Sequence, residues 1–182
     1  IKVERCVGLA NRLHGEKKPV IIWCIFVKTM FILEKKLRET GVNARVVYGG
    51  NTQEERERAL NQFRSGDIDA LITNPHTLAE SVSLHSTCHD AIYYEYSFNL
   101  VHLLQSKDRI HRLGLPEGQY TQYFFLQDVY DNHNDGYSLD ANIYDRLKDK
   151  EQTMLEAIAE QQLETMPTTD DDLNAIFEGL FD

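Results

Sequence analysis

The chain lacks several features that would each have set its class. No apolar run approaches the ~18 residues of a membrane-crossing helix, so no segment reads as a transmembrane span. Only three cysteines occur, Cys6, Cys24 and Cys88. An odd count at wide spacing argues against a disulfide framework and suits a reduced, cytosolic protein. Neither an initiator methionine nor a basic-then-apolar leader precedes Ile1-Lys2-Val3-Glu4, which reads as a piece of a longer protein. Internal repeats and low-complexity tracts are absent. So are a G-x-x-x-x-G-K-[ST] loop, whose amides would cradle phosphates, and an Asp-Glu pair that would hold magnesium and polarise water.

What remains is an ordinary globular composition: 182 residues, 42% hydrophobic, 26% charged and 10% aromatic. At ~150 residues per domain this is one domain and little more. The net charge of −10 would ordinarily discourage a nucleic-acid reading, because phosphate binding runs on Lys and Arg. The charge is unevenly placed, however. Residues 127–182 hold 15 Asp/Glu against 3 Lys/Arg, whereas residues 1–126 hold 14 against 16. The acidity belongs to the tail.

Short β-branched runs alternate with amphipathic stretches, the pattern of βα units around a mostly parallel sheet. Residues 2–14 predict a first helix with Val3, Val7 and Ala10 on one face. Val20 to Phe26 has no polar alternation and predicts a central strand covered on both sides. A helix over 29–39 follows, with Phe31, Leu33 and Leu37 inward and Gly41 as its stop. Residues 44–48 predict the second strand. Thr52 and Glu55 form a capping box for a helix that buries Ala59, Leu60 and Phe63 and ends at Gly66.

Residues 68–73, 91–94 and 120–126 supply three more strands, with a loop or short helix at 75–84 and a helix over 99–112 between them. The expected fold is a three-layer α/β domain over 1–137. Residues 138–182 form a C-terminal extension, with a helix over 139–162 carrying Tyr144, Leu147, Met154, Leu155 and Ile158 on one stripe and a short acidic helix beyond Thr168.

The best-defined constellation is Gln105-x-x-Asp108-Arg109-Ile110-His111-Arg112-Leu113-Gly114. At 100° per residue Gln105, Arg109 and Arg112 share one side of a helix while Leu100, Leu103 and Ile110 share the other. Two arginines one turn apart repel each other, but an anion such as a triphosphate would use both, because guanidinium forks bind phosphate oxygens in pairs. A solvated face paired with Asp108 is the plainer alternative.

That constellation resembles motif VI of superfamily 2 helicases, in the form used by SWI/SNF-like ATPases. Val20 to Phe26 resembles motif IV. Tyr48-Gly49-Gly50 with Glu55-Arg56 and Phe63 resembles the landmarks that follow it, Ala70 to Pro75 with Glu80, Leu84 and His85 resembles motif V, and Tyr96-Ser-Phe-Asn99 resembles the approach to motif VI. Ser138-Leu139-Asp140 resembles the start of the family's C-terminal bracing helix. The short spacing between motifs suggests a prokaryotic or viral member.

The resemblance implies a RecA-like fold of the P-loop NTPase type, equivalent to the second lobe of a two-lobed DNA translocase. The first lobe would hold ATP and Mg2+, so this segment alone should not hydrolyse ATP and should be a monomer needing no cofactor. Arg109 and Arg112 would reach the transferring phosphoryl group as arginine fingers, Gln105 would orient the nucleotide or an arginine, and Glu80 would sit at the nucleotide. Lys28, Gly49, Gly50, Thr73, Asn74 and His76 would touch the backbone of DNA, expected to be double-stranded and tracked without regard to sequence. RNA is a subsidiary possibility.

Ala79 and Ser81 replace the glycines that usually flank the acidic residue of motif V, which opens the alternative of a non-catalytic interaction module. His85, Cys88 and His89 have a metal-like spacing without a second ligand pair, and read as structural residues. Tyr93, Tyr94 and Tyr96 read as strand-end core aromatics, with base stacking as the alternative.

Overall fold

Val20-Ile21-Ile22-Trp23 offers apolar side chains on both faces of a strand, and that demands a cover on each side. In a computed structural model, which describes residues 2–78, 83–111, 118–128, 137–160 and 169–177, both covers are present. The element order is α1 (Lys2–Gly15), β1 (Val20–Trp23), α2 (Val27–Glu39), β2 (Ala44–Val47), α3 (Gln53–Ser65), β3 (Ala70–Thr73), β4 (Asp90–Tyr93), α4 (Leu100–Asp108), β5 (Gln122–Phe125), α5 (Leu139–Glu160) and α6 (Thr169–Phe177).

The five strands form one sheet in the order β2-β3-β1-β4-β5, with every pairing parallel. Val20 lies beside Ala70 on one side and Asp90 on the other. Even-numbered residues of the strands, among them Val20, Ile22, Val46 and Ile72, pack on Cys6, Ala10 and Leu13 of α1 and Met30, Leu33 and Leu37 of α2. Odd-numbered residues face the other way, and Ile21, Trp23, Leu71 and Tyr93 are equally buried. The Tyr93 hydroxyl shares a 2.7 Å hydrogen bond with Ser106 Oγ, which places α4 on that second face.

Local signals set the helix ends. Thr52 Oγ1 accepts from Glu55 N at 3.2 Å while the Glu55 carboxylate accepts from Thr52 N at 2.9 Å, a complete capping box. Gly66 ends α3 and Gly41 follows α2 at φ +85° and +91°, a backbone region that costs glycine no Cβ clash.

Four expectations are corrected. The first strand stops at Trp23: the Cys24 amide still donates to the Thr73 carbonyl, but those of Ile25 and Phe26 turn away from the ladder to the Glu95 carboxylate. Phe31 is 45% exposed: it lies 200° from Leu33 around the helix, and Met30 is the residue in phase with Leu33 and Leu37. The motif VI helix stops at Asp108 rather than 112, as Arg109 N and Ile110 N bond carbonyls only three residues back. The Arg109 carbonyl meanwhile accepts from Leu84 N at 2.8 Å, a tertiary bond. The α5 stripe is split, with Leu147 buried and Leu155 and Ile158 at 53% and 67% exposure.

The chain divides into two units, residues 1–96 with 102–126, which hold the sheet, and residues 97–101 with 127–182. In the second unit α6 lies antiparallel on the first half of α5. Asn142 Nδ2 donates to the Ile176 carbonyl at 2.9 Å, and Arg146 Nε donates to Asp172 Oδ1 at 2.9 Å. Lys150 Nζ bonds the other Asp172 oxygen and the Phe98 carbonyl. Asp172 is thus buried between two cations, and the acidic segment is in part a docked helix. Nine residues of α6 cover ~14 Å and 22 residues of α5 run ~33 Å, so α6 leaves the Leu155–Ile158 end uncovered.

Candidate nucleotide and nucleic-acid site

Because all five strands point the same way, the segments that follow them gather at one edge of the sheet, the edge where open α/β sheets bind ligands. Chain order there differs from spatial order. The Gly49-Gly50 turn follows β2, Asn74 and His76 follow β3, and Lys28 opens α2 after β1; these three strands are neighbours in the sheet. At ~4.8 Å per strand, the three segments begin within ~10 Å of one another.

Their chemistry differs. Gly49 and Lys28 are exposed, and a side chain on Gly49 would meet nothing within 4 Å. A Cβ on Gly50 would stand 2.5 Å from the Tyr48 ring, so any other residue there would make that ring shift. The same Tyr48 ring meets Phe31 edge-on at 5.5 Å. Asn74 Oδ1 accepts from Thr77 N at 2.8 Å and shapes the turn after β3. Thr73 is fully buried at the end of β3, with its hydroxyl donating to the Asn74 carbonyl, so its side chain has no surface to offer a ligand.

His76 is exposed, and its ring packs edge-on against His102 of α4 with centroids 4.1 Å apart. Burial, and then the neighbouring His76, hold the His102 imidazole below its ordinary pKa. The turn after β3 and α4 therefore meet through this ring pair, and the turn after α4 is joined to the segment before β4 by the Leu84–Arg109 backbone bond.

On α4, Leu103, Ser106 and Ile110 are buried, Gln105 is exposed and Arg109 is half-buried. For the described residues, Gln105 and Arg109 lie on the more exposed side and Leu103 and Ile110 on the buried one, although Arg109 stands in the turn after the helix. Arg112 and Glu80 lie outside the described residues, as do Ala79 and Ser81.

The metal-like triplet is dispersed. His85 Nδ1 pairs with Ser83 Oγ, Cys88 Sγ donates to the Pro19 carbonyl at 3.2 Å, and His89 pairs with the Gln119 amide. Burial pushes the Cys88 thiol up to about 12, so it stays protonated and poorly suited to bind metal. Tyr93, Tyr94 and Tyr96 are buried core residues.

One residue at this edge escaped the sequence reading. Glu95, two residues past the end of β4, accepts from Ile25 N and Phe26 N at 2.9 Å through one oxygen and from Thr29 Oγ1 at 2.8 Å through the other. It caps α2 from 66 to 70 residues away, where Phe26 at the N-cap position has no capping side chain of its own. The only hint in the sequence is a lone carboxylate among tyrosines at the end of a buried strand.

A parallel, doubly covered sheet with its candidate residues on neighbouring carboxyl-end segments defines a RecA-like α/β domain. The chain belongs to the helicase conserved C-terminal domain family, whose model matches residues 2–114. Among curated proteins it is 29% identical over 116 residues to the ATP-dependent RNA helicase DBP3 of Saccharomyces cerevisiae, covering 62% of this chain and 21% of that one. It is 39% identical over 60 residues to the pre-mRNA-splicing ATP-dependent RNA helicase PRP28 of Kluyveromyces lactis, covering 33% and 11%.

Among solved structures it resembles the C-terminal part of the Fun30 ATPase domain, with a TM-score of 0.66 at 20% identity over 80% of this chain and 45% of that one. It also resembles Saccharomyces cerevisiae Dbp5 bound to RNA and ADP BeF3, with a TM-score of 0.64 at 21% identity over 81% and 35%. At these identities the structures show the fold. The chain spans about a fifth of DBP3, the first of the curated relatives it matches.

Proposed function

We propose that this chain is the second motor lobe of an ATP-dependent superfamily 2 helicase or translocase. A separate lobe supplies the phosphate loop and the magnesium-binding acids that the chain does not contain, and this lobe supplies arginines and a nucleic-acid track. The observation that carries the reading is the gathering of Lys28, Gly49, Gly50, Asn74 and His76 onto neighbouring segments of one sheet edge, within a chain of the helicase C-terminal family. Backbone amides and one lysine suit phosphates, which carry no base information, so tracking is independent of sequence.

In this reading Arg109 and Arg112 neutralise charge on the transferring phosphoryl group, with Gln105 orienting the nucleotide or an arginine and Glu80 beside it. The His76–His102 contact and the Leu84–Arg109 bond support a coupling between the track and the finger. The SWI/SNF-like motif pattern favours DNA as the track. The RNA helicases among the relatives favour RNA as a second reading. The relatives named above are fungal and lend no support to a prokaryotic or viral origin.

The test is ATP turnover by the two-lobed parent protein, with duplex DNA, single-stranded DNA and RNA as stimulants. Arg109→Ala and Arg112→Ala should each cut stimulated turnover by at least roughly 10²-fold, the lower side of what a finger supplies in other nucleotide hydrolases. Nucleotide affinity should change much less, since a finger acts on the transition state. Lys107→Ala is the control and should be mild. Near-normal turnover in both arginine variants, with the fold intact by circular dichroism, would refute the assignment, and the best stimulant identifies the track.

A further inference from the structure

Phe26 is 64% exposed at the centre of the sheet's ligand edge, beside Ile25 and Val27. Its exposure does not come from slack. The backbone N–H groups of Ile25 and Phe26 and the hydroxyl of Thr29 all end on the Glu95 carboxylate, so the segment on both sides of the ring is tied to β4. An apolar ring is therefore held in water on a fixed base, at the turn between the central strand β1 and Lys28.

We propose that Phe26 is a nucleobase-stacking residue, and that the ligand of this edge is a single strand of nucleic acid with unstacked bases. The inference rests on the motor-lobe reading and narrows its substrate. A base offers an apolar face to the ring while its phosphate meets Lys28, and stacking of this kind tolerates every base because each has a π-face. A regular duplex keeps those faces covered by neighbouring bases, so it cannot use the ring.

Charge favours this occupant over an apolar protein surface. The Glu95 carboxylate beneath this turn is spent on three donors, Lys28 is exposed, and residues 1–126 carry a slight excess of Lys and Arg. On the β3 side the edge continues with Asn74 and His76, and beyond β2 with Gly49, polar or backbone groups that suit phosphates and riboses. Tyr93, Tyr94 and Tyr96 are buried, and the exposed ring in the turn between β1 and α2 is Phe26.

The experiment is fluorescence anisotropy of the purified protein at low salt, with labelled oligothymidylate, oligouridylate, an abasic deoxy-oligomer of the same length, and duplex DNA. The wild-type protein should bind the base-bearing single strands at least fivefold more tightly than the abasic one. Phe26→Ala and Phe26→Leu should abolish that preference, lowering affinity for base-bearing strands by roughly 5- to 100-fold and leaving the abasic oligomer unaffected. Phe26→Trp should retain it. Lys28→Ala should weaken binding to all strands alike.

Equal wild-type affinity for abasic and base-bearing strands, or unchanged binding by Phe26→Ala, overturns the stacking role and leaves the motor-lobe reading standing. Phe26→Ala that weakens binding to an isolated first lobe while sparing every oligomer also overturns it, by assigning the ring to a protein contact. Tightest binding to duplex overturns the single-strand substrate. No binding of any strand by the folded wild-type protein would instead remove the nucleic-acid reading beneath it.

Discussion

Replacing Glu95 by alanine removes three hydrogen bonds at once from the start of α2. The carboxylate accepts two backbone amides at 2.9 Å and a hydroxyl at 2.8 Å. A hydrogen bond to an ionised group contributes ~1.5–3 kcal/mol when buried. Glu95 is only half-buried and Ile25 and Phe26 are exposed, so water recovers much of this once the carboxylate is gone. The remaining loss is that of a helix cap, ~1 kcal/mol, with a further ~1 kcal/mol for the lost tie to β4. Glu95→Ala should therefore cost about 2 kcal/mol, which for a domain of this size lowers the melting temperature by about 4–8 °C.

Glu95→Gln should lose about half as much, since the amide oxygen still accepts from the backbone while the Thr29 hydroxyl turns to accept from the amide nitrogen. Urea unfolding followed by circular dichroism measures both, and hydrogen exchange of the α2 amides shows where the loss falls. A Glu95→Ala midpoint within the ±0.5 kcal/mol typical of plain surface substitutions would refute the clamp.

Asp90, 5% exposed at the start of β4 with no hydrogen-bond partner for Oδ1 among the described residues, has its pKa raised mainly by burial. A carboxyl whose folded pKa exceeds its unfolded value is most favourable to folding below the unfolded value, and that advantage is lost as pH rises through the folded one. Asp90→Asn should consequently gain stability relative to wild type as pH goes from about 4 to 7 in urea titrations, and a constant difference across that range would contradict the assignment. Asp172→Ala leaves Lys150 and Arg146 without their shared carboxylate and should cost about 2–3 kcal/mol, below the range for fully buried pairs because Arg146 is partly exposed. Hydrogen exchange should show α6 deprotected first; unchanged α6 protection would count against the cluster as its anchor.

Where the strands and helices lie was legible because the signals are local. A β-branched run, a Thr52–Glu55 box or a glycine at positive φ acts within a few residues, and each was found where the pattern put it. Misreadings came where phase or tertiary bonding intervened. Phe31 reads as inward only when the helical phase of Leu33 is set aside, and nothing in the local pattern announces that Leu84 takes the Arg109 carbonyl and that the motif VI helix ends at Asp108. Tyr93, Tyr94 and Tyr96 are the core aromatics that the strand end implies, whereas the place of Glu95 among them, on the clamp, is set by tertiary packing alone.

The sequence by itself determined that this is a βα-alternating chain with an acidic extension, and that it carries the helicase motifs in order, because composition, period and motif are properties of neighbouring residues. Only the tertiary structure decided that β3 enters between β2 and β1, bringing the Gly49, Asn74 and Lys28 segments side by side. It also decided that Asp172, one of three adjacent aspartates, is the one buried between Arg146 and Lys150. The same is true of Glu95 and Phe26. Each depends on partners tens of residues away, and such pairs meet only after the sheet has chosen its order and the helices their faces, a choice set by the burial of the whole core rather than by any one segment.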